Sequence, residues 1–173
     1  MDRGIRNSLL RFLVLWGLQV SILRQFVWGW DGQYFLQVHL YPLFILLLPI
    51  RTPRALSILL AFVMGIAVDW LYDSYGMHAS ALVFTAFIRE WVLNFLEPRE
   101  GYALKDTPTK ASLGDAWFFR YAGILLAAHL FFYFSVEAFT FVYIGTILQK
   151  WVISWVASLF FVLASVYVFN PKA

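Results

Sequence analysis

Of the acids and histidines in this sequence, Asp69, Asp73, His78 and His39 are the best set on offer to hold a cation or move a proton, since all four are expected at one end of a helical bundle. The two aspartates are four residues apart, which puts both carboxylates on one face of a helix. His78 follows just past Gly76, where the chain turns. Carboxylate and imidazole together suit Zn²⁺ or a proton relay. The plainer alternative is that Asp73 is solvated in the turn, Asp69 pairs with Arg24 or caps a neighbouring backbone, and the histidines sit at an interface. So loose a constellation favours the plainer reading. The sequence holds no GxSxG turn, HExxH helix or GxxxxGK[ST] loop, so no catalytic residue, metal or cofactor is expected. His129 stands alone among apolar neighbours and reads as a packed or hydrogen-bonded core residue.

The elements around these residues are set by an apolar composition. Hydrophobic residues make up 62% of the 173 residues and charged ones 13%, against roughly 45–50% and 25% in soluble domains. Apolar stretches of membrane-spanning length recur through nearly the whole chain. The reading is one all-α integral membrane domain, residues 1–173, with six transmembrane helices at about 9–28, 34–50, 55–72, 77–96, 117–136 and 143–169. Pro42 lies inside the second of these and predicts a kink or a broken helix there. The first run resembles a secretory signal but is followed by Arg24, Gln25 and Trp28 rather than a small-residue cleavage site, so it is expected to remain. There is no cysteine, hence no disulfide framework or thiolate site.

Basic residues fix the expected orientation. With the N-terminus inside, the N-terminal end, the 51–54 loop, the 97–116 loop and the C-terminal end hold Arg3, Arg6, Arg11, Arg51, Arg54, Arg99, Lys105, Lys110, Arg120 and Lys172, and the three outer turns hold none. Both termini are therefore expected in the cytoplasm. Arg89 lies within the fourth span, where it is expected to reach the headgroups or to pair with an acid on another helix, Glu90 pointing elsewhere. Lys150 is expected to pair with Glu137.

Small residues carry more information than the charges. Stepping by fours, Ser57, Ala61, Gly65, Asp69 and Asp73 form a ladder along the third span. Shorter stripes occur at Gly17 and Ser21, Gly123 and Ala127, and Ser154 and Ser158. Small residues let helix backbones approach, either within the bundle or against another protein. In this reading Gly65 admits a neighbouring helix, Asp69 fixes the outer end of the third span, and Gly76 permits the turn.

The segment LLAFVMGIAVDWLYDSYGMHASALVFTAFIR, residues 59–89, resembles the bacterial rod shape-determining MreD family in Gly65, Asp69 and Gly76. The resemblance implies a non-catalytic scaffold of the cell-wall elongation machinery in the cytoplasmic (inner) membrane. The implied partners are MreC, RodA with its transpeptidase partner, and the actin-like MreB; no nucleic acid or small-molecule substrate is expected. It also implies a fold similar to the substrate-binding subunits of energy-coupling-factor transporters, which makes a vitamin carrier the alternative. Against that alternative, the first helix lacks a paired-alanine stripe and the outer turns are short. Ser57, Ala61, Gly65, Asp69, Asp73, Gly76 and Arg89 are the candidate structural or partner-contact residues.

Overall fold

Apolar runs bounded by prolines and glycines form helices here, but not everywhere the hydropathy calls for one. The computed structural model describes residues 3–30, 33–103 and 106–169; the turn expected at Asp31 and Gly32, Lys105, and the C-terminal Asn170, Pro171 and Lys172 lie outside them. In chain order the elements are α1 (Arg3–Ser21), β1 (Val27–Trp30), β2 (Gln33–Gln37), α2 (Leu43–Leu46), α3 (Arg54–Tyr72), α4 (Met77–Phe95), α5 (Lys110–Leu113), α6 (Asp115–Ala138) and α7 (Ile144–Phe169). The chain is thus mostly helical. Among the described residues α3, α6 and α7 are long and apolar enough to cross a membrane. The polar stretch 97–116 holds little regular structure before α6 begins, as its prolines and charges predict. Tyr102 ties it down by donating to Leu93 O at 2.7 Å, and burial pushes the Tyr102 hydroxyl up to about 12.

Residues 34–50, expected as the second helical span, are not one. They contain strand β2, an irregular stretch and the one-turn α2. Pro42 explains the break: its ring disfavours helical geometry at Tyr41, and it has no N–H to continue a helix arriving from upstream. It occupies the N-cap of α2, where the missing donor is no loss. Upstream, β2 pairs antiparallel with β1, and the ladder skips Phe35 in a bulge.

This irregular segment carries the chain back along the bundle. Trp16 of α1 donates to Ala67 O at 2.9 Å and Gln19 to the Tyr72 hydroxyl at 3.0 Å, so α1 and α3 run the same way. Between them the chain passes from Ser154 of α7, beside Phe35 and Gln37, to Tyr121 of α6, beside Leu46, and Arg89 of α4, beside Leu48. Tyr41, Ile45 and Leu46 are each 0% exposed, so this stretch forms the centre of the packing. Non-helical backbone at such depth persists only where protein satisfies its polar groups. Gln19 does so at one bend, donating to Val38 O at 3.0 Å and accepting from Leu40 N at 2.7 Å. Ser154 Oγ accepts from Gln37 N at 3.0 Å and donates to Phe35 O at 3.2 Å, and Ser158 Oγ accepts from His39 N at 2.9 Å.

The stripe at Ser154 and Ser158 is therefore a hydrogen-bonding edge for the inner segment. Ser158→Ala strands the His39 N–H and is expected to lower stability by about 1–3 kcal/mol. Ser135→Ala, which only removes a bond to Phe131 within its own exposed turn, should change it by less than about 0.5 kcal/mol. Unfolding titrations of both variants in mixed micelles check the difference.

The remaining contacts stack the long helices in the order α3, α4, α6, α7. Small residues at Gly123 and Ala127 of α6 leave their carbonyls open to α7, where Trp155 Nε1 donates to Gly123 O at 2.9 Å and Trp151 Nε1 to Ala127 O at 2.7 Å. Half of the apolar window of α6 is buried, against 33% in α3 and 28% in α7. So α6 is central, while α3 and α7 present apolar outer faces.

Candidate functional site

The site grows out of the turn between α3 and α4. Helix α3 stops at Asp73, whose φ of 54° is left-handed and whose N–H bonds Asp69 O. Helix α4 starts from Gly76 at φ 83°, a conformation glycine takes without strain. The first turn of α4 leaves backbone donors without partners inside its own helix, and the side chain of Asp69 supplies them. Asp69 Oδ1 accepts from His78 N at 3.0 Å and Oδ2 from Ala79 N at 2.9 Å. The same carboxylate accepts from Ser74 Oγ at 2.6 Å and lies 2.9 Å from His78 Nδ1. A negative charge at a helix N-terminus is further favoured by the aligned peptide dipoles. Of the two fates open to Asp69, the capping of a neighbouring backbone is the one realised. Arg24 instead donates to Leu71 O at 2.6 Å.

Gly65, one turn earlier, makes this cap reachable. A Cβ built on it would lie 2.3 Å from Ala79 Cα and 2.7 Å from Ala79 N. The α3 backbone thus rests directly on the first turn of α4.

All three histidines of the chain meet behind the cap. The His39 ring centroid is 5.6 Å from that of His78 and 5.7 Å from that of His129. Tyr41, Tyr72 and Tyr133 pack edge-on or tilted against them. His129 is fully bonded: Nε2 is 2.9 Å from the Tyr41 hydroxyl, and Nδ1 is 2.9 Å from Thr85 Oγ1. Thr85 donates to Ala81 O at 2.7 Å, so its oxygen accepts from a protonated Nδ1 and Tyr41 donates to Nε2. His39 Nδ1 and His78 Nε2 are buried without a hydrogen-bond partner. Each could form a hydrogen bond with one small polar molecule.

The expected constellation is therefore regrouped. Asp69, His78 and His39 come together, and His129, read as solitary, joins them. Asp73 is exposed, serves as the αL cap, and its side chain takes no part in the described hydrogen bonds of this group. Among the described residues no three His, Asp or Glu side chains form a group able to hold a metal ion. Gln19, Tyr41, Thr85 and Tyr121 escaped sequence reasoning; the signal for Gln19 was an amide within the apolar run of α1, which must find a partner.

Arg89 also departs from expectation. It is 3% exposed, and none of the described ion pairs joins it to an acid. Its Nε donates to the Tyr121 hydroxyl at 2.9 Å, and Nη2 donates to Leu48 O and, at 3.3 Å, to Pro49 O. Open carbonyls at the end of the irregular segment thus replace the predicted acid. Lys150 does pair with Glu137, at 3.3 Å.

The ladder is likewise internal. Ser57 is 2% exposed, Ala61 0% and Asp69 6%, and Gly65 is covered by Ala79. Packing α3 on α4 covers this face. The chain matches no family profile, no curated protein and no solved structure.

Proposed function

We propose that this chain is a non-catalytic, multi-pass scaffold of the cell-wall elongation machinery in the bacterial cytoplasmic membrane, a protein of the MreD kind. One observation carries the reading. The residues behind the resemblance, Gly65, Asp69 and Gly76, form a joint that docks and caps α4 on α3, directed entirely at the chain's own backbone. The chemistry of these polar groups is used up in architecture, while α3 and α7 keep lateral apolar faces with Phe62, Trp70, Val156 and Phe160 each more than half exposed. Such faces suit lipid and helix–helix contact with membrane partners.

In this reading the chain crosses the bilayer six times. Five crossings are helices and the second is the irregular segment 33–50, which keeps both termini on the cytoplasmic side. A vitamin carrier needs a ligand-sized space in the outer half of the bundle, and there the buried rings of His39 and Tyr41 pack against His78. The test is copurification. After gentle detergent extraction the chain should bring down MreC or the wall synthases RodA and its transpeptidase. Recovery of none of them would count decisively against the scaffold, as would tight binding of a vitamin by the purified chain alone.

A further inference from the structure

A second polar site lies at the opposite end of α3 and α4 from the Asp69 cap. The 50–54 loop and the facing turns of α3 and α4 enclose a cavity of about 280 Å³ lined by Arg51, Arg54, Ser57, Arg89 and Glu90. Three guanidinium groups face one carboxylate, so the lining carries a net positive charge. Arg89 is buried, and none of the described ion pairs includes it. A buried charge without a counter-ion is costly unless an anion comes to it. Two further donors make no hydrogen bond. Ser57 Oγ is in a residue only 2% exposed, and Arg54 Nε is held only by its ion pair with Glu90, at 3.8 Å.

We infer that this cavity binds a phosphate group, presented by an anionic phospholipid. Guanidinium donors match phosphate oxygens in geometry and charge, and the Ser57 hydroxyl supplies a neutral donor at the base. The surroundings select a lipid over a soluble anion. The Arg54 guanidinium lies 4.0 Å over the Phe87 ring and 5.5 Å from that of Trp91. Leu56, Leu59, Phe87, Trp91 and Phe95 stay exposed on the two helices that flank the cavity. A phosphate held by the arginines would leave its acyl chains along that apolar strip, the arrangement of basic pockets between membrane helices that take lipid headgroups. The site does not depend on the scaffold role, since any protein with this end of the bundle at a membrane surface would offer it.

The test uses the full chain in a non-ionic detergent, with native mass spectrometry for retained lipid and thermal unfolding for stabilisation. The probes are phosphatidylglycerol, phosphatidylcholine and inorganic phosphate. Phosphatidylglycerol should bind and stabilise more strongly than phosphatidylcholine. Arg54→Gln and Ser57→Ala should each weaken it about tenfold, the loss expected for one hydrogen bond to a charged group. Arg99→Gln, an equal charge change on the exposed loop, should leave it unaltered. Ser57→Ala removes a hydroxyl that bonds nothing in the protein, so it keeps the fold and isolates the ligand effect. Equal binding of both lipids, or phosphatidylglycerol binding indifferent to Arg54→Gln and Ser57→Ala, overturns the site. Stabilisation by inorganic phosphate that matches phosphatidylglycerol and is lost in the same variants assigns the phosphate to a soluble source.

Discussion

Replacing Gly65 by leucine is expected to leave almost no monodisperse protein. Even the single carbon of Gly65→Ala falls 2.3 Å from Ala79 Cα, and backbone cannot rotate aside as a side-chain tip can. Two effects oppose each other in the alanine variant. Removing glycine from a helix interior gains about 0.5–1 kcal/mol, whereas forcing packed elements apart costs about 1–3 kcal/mol. The contact is against main chain on the turn that Asp69 caps, so separation also lengthens the cap's hydrogen bonds, and the loss wins. Asp73→Gly is the contrasting substitution. Asp73 has φ 54° and is exposed, so glycine relieves about 1 kcal/mol of left-handed strain without removing a described contact. Fluorescence-detected gel filtration and thermal midpoints should therefore rank Asp73→Gly at or above the parent, then Gly65→Ala, then Gly65→Leu. A Gly65→Ala variant as stable as the parent would show that α3 and α4 do not touch at this point.

Asp69→Ala should be nearly as damaging for a different reason. It leaves His78 N and Ala79 N, both buried, without acceptors. At about 1–3 kcal/mol for each stranded donor the loss is about 4 kcal/mol, a large fraction of the stability of an ordinary domain. It also releases His78 from the acceptor that holds its Nδ1. Asp69→Asn retains one acceptor oxygen and should fall between. Nitrogen chemical shifts of His78 would report a changed tautomer balance in both variants, a response that general loosening of α3 would not produce. Parent-like unfolding of Asp69→Ala, with unchanged His78 shifts, would remove Asp69 from its place as the cap.

The two variants act on one junction, so their effects should not add. Residues sharing a contact couple by about 0.5–3 kcal/mol. Once Gly65→Ala has moved α4 away, the Asp69 carboxylate has less left to lose.

Much of this junction was legible in the chain order. Glycine, aspartate and glycine at 65, 69 and 76 mark a close approach, a polar anchor and a turn by residue type alone, since each property is intrinsic to the side chain or to its absence. The partner of each was not legible. Whether Asp69 would meet Arg24 or a backbone N–H depends on which of two neighbours the folded chain brings nearer. His129 read as solitary because the residues that complete its bonds, Tyr41 and Thr85, are 88 and 44 positions away.

Sequence by itself determined the apolar character of the long helices, the place of most of them, their ends at proline and glycine, and the small face on α3. These follow from local properties: transfer free energy, backbone sterics and a period of 3.6 residues. Only tertiary structure decided the course of residues 33–50. By hydropathy that stretch asks for a helix, whose backbone would satisfy itself. Pro42 breaks the helix, but breaking alone would leave bare N–H and C=O groups in an apolar bundle. The irregular path is tolerated because Gln19, Arg89, Tyr121, Ser154 and Ser158 supply the missing bonds from as far as 119 residues along the chain. No local pattern records such partners, since hydrogen bonds between distant segments exist only once the fold has brought them together.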